Sequence, residues 1–130
     1  MDGSTASANT APFGGGIYNR GTLNVRNGST IGVAGTGNQA THEGGGIYNE
    51  TGGTTTVDGS TVSANTAKYG GGISSRGTLT VTNSTIGGAG MGNEATIWGG
   101  GIYNWATGTT TVDGSTVSAN TADEGGGIWN

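Results

Sequence analysis

The residues able to do chemistry in this chain of 130 are few and widely spaced. His42 is the only histidine, cysteine is absent, and no serine has an obvious base beside it. Nucleophilic and general-base arrangements therefore lack their parts. Asp2, Asp58 and Asp113 recur in Asp-Gly pairs, whereas the glycine-rich rolls that hold Ca²⁺ place their Asp inside the glycine repeat itself. Gly35-Thr-Gly-Asn-Gln-Ala40 and Gly90-Met-Gly-Asn-Glu-Ala95 both fit G-x-G-x-x-A. That pattern holds a dinucleotide only between a strand and a helix, and each copy here leads toward a Gly-Gly-Gly strand. No catalytic residue, cofactor or metal ligand is expected. Two sets of side chains remain as candidate binding surfaces, one of threonines and one of aromatic rings, and both depend on the elements that carry them.

Those elements come from repeats. Gly-Gly-Gly-Ile begins at Gly14, Gly44, Gly70, Gly99 and Gly125, so the spacings are 30, 26, 29 and 26. The stretch from Gly53 to Ala67 recurs unchanged from Gly108 to Ala122, which makes a pair of coils the unit of duplication. Within each coil three short segments alternate as half-buried strands do. They are Gly-Gly-Gly-Ile-Tyr-Asn, as at Gly14 to Asn19; Thr-Leu-Thr-Val, as at Thr78 to Val81; and Ser-Thr-Val-Ser-Ala-Asn, as at Ser60 to Asn65. Gly, Thr, Val and Asn are poor helix formers, and no 3.6-residue apolar period runs through them. The expectation is an all-β, right-handed parallel β-helix: a three-sided solenoid of about five coils, 26–30 residues each, forming one domain over residues 1–130.

Aligned coils give columns. Ile17, Ile47, Ile73, Ile102 and Ile128 form one; Val25, Val57, Val81 and Val112 a second; Ala6, Ile31, Val62, Ile86 and Val117 a third. Ala11, Ala40, Ala67, Ala95 and Ala122 make a fourth column expected to face inward. Asn9, Asn38, Asn65, Asn93 and Asn120 fall at a corner, where stacked amides can bond along a ladder. Asp2, Asp58 and Asp113 sit on every second coil, about 9.5 Å apart and too far to share one ion, so a turn role with Arg26 alongside is expected. Arg20, Glu50, Arg76 and Trp105 share a column that reads as an alternating charge ladder, with Arg76 stacking on Trp105.

The candidate surfaces follow. Thr54 and Thr56, Thr78 and Thr80, and Thr109 and Thr111 should point outward from the second strand, with hydroxyls repeating about 4.8 Å along the axis and about 6.6 Å along the strand. Such an array is a candidate ice-binding face, although Thr is also simply a good strand residue. The aligned inward position varies between Leu23, Thr55, Leu79 and Thr110, which reads as freedom inside and constraint outside. Tyr18, Tyr48, Tyr103 and Trp129 should also point outward, with Phe13, Tyr69 and Trp98 beside the glycines. These rings could stack on sugars, or on one another as a stabilising ladder.

Bulk composition narrows the classes further. A net charge of -4 with four basic residues gives no footprint for nucleic acid. No apolar run is long enough for a membrane span, and nothing at the N-terminus reads as a signal peptide. Met1 falls directly on repeat sequence, so the chain is expected to be a module of a larger array, with uncapped ends open to axial self-association. The coils resemble a large family of bacterial surface and secreted β-helix proteins, loosely related to the chlamydial polymorphic outer-membrane proteins. The residues that carry the resemblance are Gly14 to Asn19, Gly44 to Asn49, Gly99 to Asn104, Gly77 to Ile86 and the Ser-Ala-Asn-Thr-Ala segments. It implies a right-handed parallel β-helix exposed on, or released from, a cell; the leading expectation is a non-enzymatic adhesin, stalk or filament repeat, extracellular or on the cell surface.

Overall fold

The computed structural model covers residues 1–130 and contains no helix. The chain makes four rounds of four strands. These are β1 (Thr5–Ala6), β2 (Thr10–Phe13), β3 (Ile17–Asn19) and β4 (Thr22–Val25); then β5 (Thr30–Ile31), β6 (Gln39–Glu43), β7 (Ile47–Asn49) and β8 (Thr54–Asp58). The third round is β9 (Thr61–Val62), β10 (Thr66–Tyr69), β11 (Ile73–Ser75) and β12 (Thr78–Thr82), and the fourth β13 (Thr85–Gly87), β14 (Glu94–Trp98), β15 (Ile102–Asn104) and β16 (Thr109–Asp113). Two strands remain, β17 (Thr116–Ser118) and β18 (Ile128–Trp129). Every pairing is parallel and joins a strand to its counterpart one round away, giving four sheets along the stack.

Two expectations are corrected. There are about four coils, not five, because the opening Met1–Asp2 and the closing segment add only partial turns. There are four sheets where three strand faces were expected. The missed one contains β2, β6, β10 and β14, and its register shifts before the last residue of each strand. Thr66-Ala67-Lys68-Tyr69 alternates, but Gln39-Ala40-Thr41-His42-Glu43 and Glu94-Ala95-Thr96-Ile97-Trp98 do not hold the alternation to their ends, where the register shifts, so a period of two read across the coils does not reveal the sheet. Glycine main chain packs beside these strands. A Cβ on Gly15, Gly45 or Gly71 would lie 2.4–2.6 Å from the carbonyl oxygen of Gln39, Thr66 or Glu94, respectively.

The core is thin and made of the three β-branched columns. Val25, Ile31, Ile47, Val57, Val62, Ile73, Val81, Ile86 and Ile102, joined by Leu79, form one fully buried cluster. Ala40, Ala67 and Ala95 are buried too, as the fourth inward column requires, but they stand beside this cluster and not in it.

Polar ladders complete the interior. Each corner Asn donates from Nδ2 to the next Oδ1, Asn9 to Asn38, Asn38 to Asn65, Asn65 to Asn93 and Asn93 to Asn120, at 2.9–3.0 Å. Each of the last four also donates to a main-chain carbonyl, and each Oδ1 accepts the main-chain N–H of the preceding Asn in the column. A second amide column had no counterpart in the sequence reading. Asn19 donates to Asn49, Asn49 to Ser75 Oγ, and Asn104 to Asn130.

Candidate functional surfaces

The threonine face lies on the sheet β4, β8, β12 and β16. Its register is unbroken: Thr22, Thr54, Thr78 and Thr109 align, as do Asn24, Thr56, Thr80 and Thr111. Burial alternates along each strand, with Thr55, Val57, Leu79 and Val81 fully buried and the outward threonines exposed or half-exposed. No residue interrupts the pleat here, whereas the sheet of β2, β6, β10 and β14 is bulged. Where the inward position is Thr, its hydroxyl is bonded. Thr55 Oγ1 donates to Asn49 Oδ1 at 3.0 Å, and Thr110 Oγ1 to Asn104 Oδ1 at 2.8 Å, so each inward threonine satisfies an amide of the neighbouring strand.

The aromatic residues form two columns. Tyr18, Tyr48, Ser74, Tyr103 and Trp129 align in one; Phe13, Glu43, Tyr69, Trp98 and Glu124 in the other. The rings pack on one another. Tyr18 and Tyr48 lie 5.1 Å apart, Phe13 stacks on His42 at 5.4 Å, and Trp98 stacks on Trp129 at 5.0 Å and 12°. Tyr48 is only 6% exposed and Tyr103 1%, against 45% for Tyr18 and 38% for Phe13. The expected open strip is thus covered in its middle, because adjacent rings and Trp105 close over it.

Burial pushes the Tyr48 and Tyr103 phenols above the ordinary value of 10.0, since the anion cannot be solvated there. A raised folded-state value means the unfolded chain releases these protons first. The stabilisation is whole below about pH 10 and is lost as pH rises through the folded values. Thermal melts should therefore show a falling melting temperature above about pH 10, and Tyr48→Phe with Tyr103→Phe should flatten that decline.

Ser74 opens the one gap in the tyrosine column, and the Glu43 carboxylate occupies it. Its oxygens accept from Ser74 Oγ at 2.9 Å, Arg76 Nη2 at 2.8 Å and Trp105 Nε1 at 2.9 Å. The Arg76 guanidinium lies 3.8 Å over the Trp105 ring. Arg20 meets Glu50 at 2.8 Å as expected, but the ladder stops there: Arg76 pairs with Glu43 and not with Glu50. Sequence reading missed Glu43. Its signal was the coincidence of an acid in an aromatic column with a serine in the adjacent one.

The remaining candidates resolve into structural roles. Asp2 meets Arg26 at 3.3 Å and accepts from Asn27, and Asp58 accepts from Thr82 and Asn83. No group of three or more His, Asp or Glu is placed to hold a metal ion. Both G-x-G-x-x-A segments run into strands, β6 and β14. His42 is exposed and bonds Thr41.

Among known families, the Chlamydia polymorphic membrane protein (Chlamydia_PMP) repeat matches residues 36–50, a stretch holding one corner, β6 and one Gly-Gly-Gly-Ile-Tyr-Asn run. No curated protein and no solved structure matches the chain.

Proposed function

We propose that this solenoid is a non-enzymatic scaffold, a rigid repeat segment of a surface or secreted protein that acts as a stalk, adhesin or filament repeat. The observation that carries it is where the polar side chains go. The amides of both Asn columns, Glu43 and the paired aspartates all bond from coil to coil, which stiffens a rod and leaves no converging reactive groups. The surface location rests on the repeat match over residues 36–50. Right-handed winding is taken from the general preference of parallel crossover connections. Four coils give a rod about 20 Å long at strand spacing. Small-angle scattering of chains with added coil pairs should show the long dimension growing by about 10 Å per pair. A particle that does not lengthen would remove the scaffold reading.

A second reading, ice binding, is favoured by one observation: the threonine sheet keeps an unbroken register from β4 to β16 with its outward threonines exposed or half-exposed. The array is only three coils deep in Thr-x-Thr, so ice shaping should be modest and should increase with added coils. Thr56→Lys with Thr80→Lys puts charge in mid-face and leaves Val57, Leu79 and Val81 in place. Surface changes of this kind alter stability by about 0.5 kcal/mol or less. The expected outcome is shaped ice crystals with wild type and unshaped discs with the double variant, both folded by circular dichroism. Unshaped crystals from wild type would reduce the threonines to ordinary strand residues.

A further inference from the structure

Along the threonine sheet and the corner that follows it, successive rungs differ in kind. One kind has Thr inward and an Asp-Gly corner: Thr55 with Asp58-Gly59, Thr110 with Asp113-Gly114, and the Asp2-Gly3 corner. The other has Leu inward and an Asn corner: Leu23 with Arg26-Asn27, and Leu79 with Thr82-Asn83. The two meet in register, Leu79 against Thr55 and Thr110, and Thr82 against Asp58 and Asp113.

They are complementary at two further points. At the corner, the Asp2 and Asp58 carboxylates are each held by the rung that follows. Asn27 Nδ2 donates to Asp2 at 2.7 Å beside Arg26, and Thr82 Oγ1 donates to Asp58 at 2.9 Å. At the next turn, Ala8 and Ala64 are held at φ 60° and 57°, a left-handed conformation that alanine rarely adopts. Their N–H groups donate to Thr36 O and Met91 O, both at 2.8 Å. Thr36 and Met91 lie in the longer turns, residues 32–37 and 87–92, that only the Asn kind carries. The same alternation appears in the coil lengths, 30, 26, 29 and 26.

We propose that the coils are of two complementary kinds, that only unlike kinds stack, and that the solenoid grows by pairs of coils. Like on like would set two carboxylates about 4.8 Å apart with no donor between them. It would also leave the left-handed alanine N–H without its acceptor.

Three variants of the full chain test this by thermal melting. Repeating residues 53–107 after Thr107 adds one pair and preserves the alternation. Repeating residues 53–76 after Arg76 adds one coil and forces Asp58 onto its own copy. Thr82→Asp with Asn83→Gly makes the like-on-like corner with no insertion and no seam. The pair should raise the melting temperature, while the single coil and the double substitution should each lower it by about 5 °C or more. A single coil that stabilises at least half as much as the pair overturns the proposal. So does a pair that destabilises, or a double substitution that leaves the melting temperature unchanged, since a fall with the single coil would then come from its seam.

Discussion

Asn65→Ala should cost about 3–5 kcal/mol and lower the melting temperature by roughly 10–20 °C. The side chain is fully buried and takes part in four hydrogen bonds. It accepts from Asn38 N and Nδ2 at 3.1 and 2.9 Å, and donates to Ile31 O and Asn93 Oδ1 at 2.9 and 3.0 Å. Truncation leaves Asn38 N and one Asn38 Nδ2 hydrogen without an acceptor away from water, each costing about 1–3 kcal/mol, while Ile31 O and Asn93 Oδ1 keep Ser63 N and Asn65 N as donors. Asn65→Asp keeps the shape and separates hydrogen bonding from cavity formation. It removes both donors and faces an acceptor at Ile31 O and another at Asn93, so it should be at least as damaging. Asn9→Ala, at the exposed start of the ladder, should cost about 1 kcal/mol or less. Equal losses at Asn9 and Asn65 would show that the ladder carries no special weight; chemical denaturation of the three variants decides it.

Gly71→Ala should cost about 3 kcal/mol or more, the upper end of overpacking. The added Cβ would stand 2.4 Å from Glu94 O, 2.5 Å from Glu94 C and 2.6 Å from Gly100 O. All three are main-chain atoms fixed in the stack, so no side chain can swing aside. Gly71 does not have a positive φ, so contact alone is tested. Gly52→Ala is the converse case. Gly52 has φ 82° and nothing within 4 Å, so only the backbone preference is lost, about 1–2 kcal/mol. A larger loss at Gly52 than at Gly71 would mean that the glycine runs are chosen for conformation and not for the closeness of the coils.

The fold was legible where chemistry and period coincide. The Ile47 column recurs at a fixed offset from the glycine runs, the Val57 and Val62 columns keep their offsets to within two residues, and these columns are the core. The Asn65 column was legible because nothing interrupts it. The fourth sheet was not, because the alternation seen from Thr66 to Tyr69 is lost by Glu43 and by Trp98, where the register shifts, and because the sheet packs beside glycine main chain in place of side chains. The threonine register was predictable from strand geometry. The meaning of Thr55 and Thr110 was not, since their partners Asn49 and Asn104 come from another sheet. Tyr48 and Tyr103 were correctly placed beside the inward Ile column. Their covering depends on Trp105 and on rings in the neighbouring column, which no single column predicts.

Glu43 gives the stack a mechanical property that its repeats alone would not. In a solenoid each coil touches only its neighbours, so a pull on either terminus can peel turns away singly. The Glu43 carboxylate leaves β6, bonds Ser74 and Arg76 one coil further on, and reaches Trp105 on the coil beyond. It rivets three coils from outside the core. Under load the outer turns can fray, but peeling from either end must break a Glu43 bond before the next coil can leave.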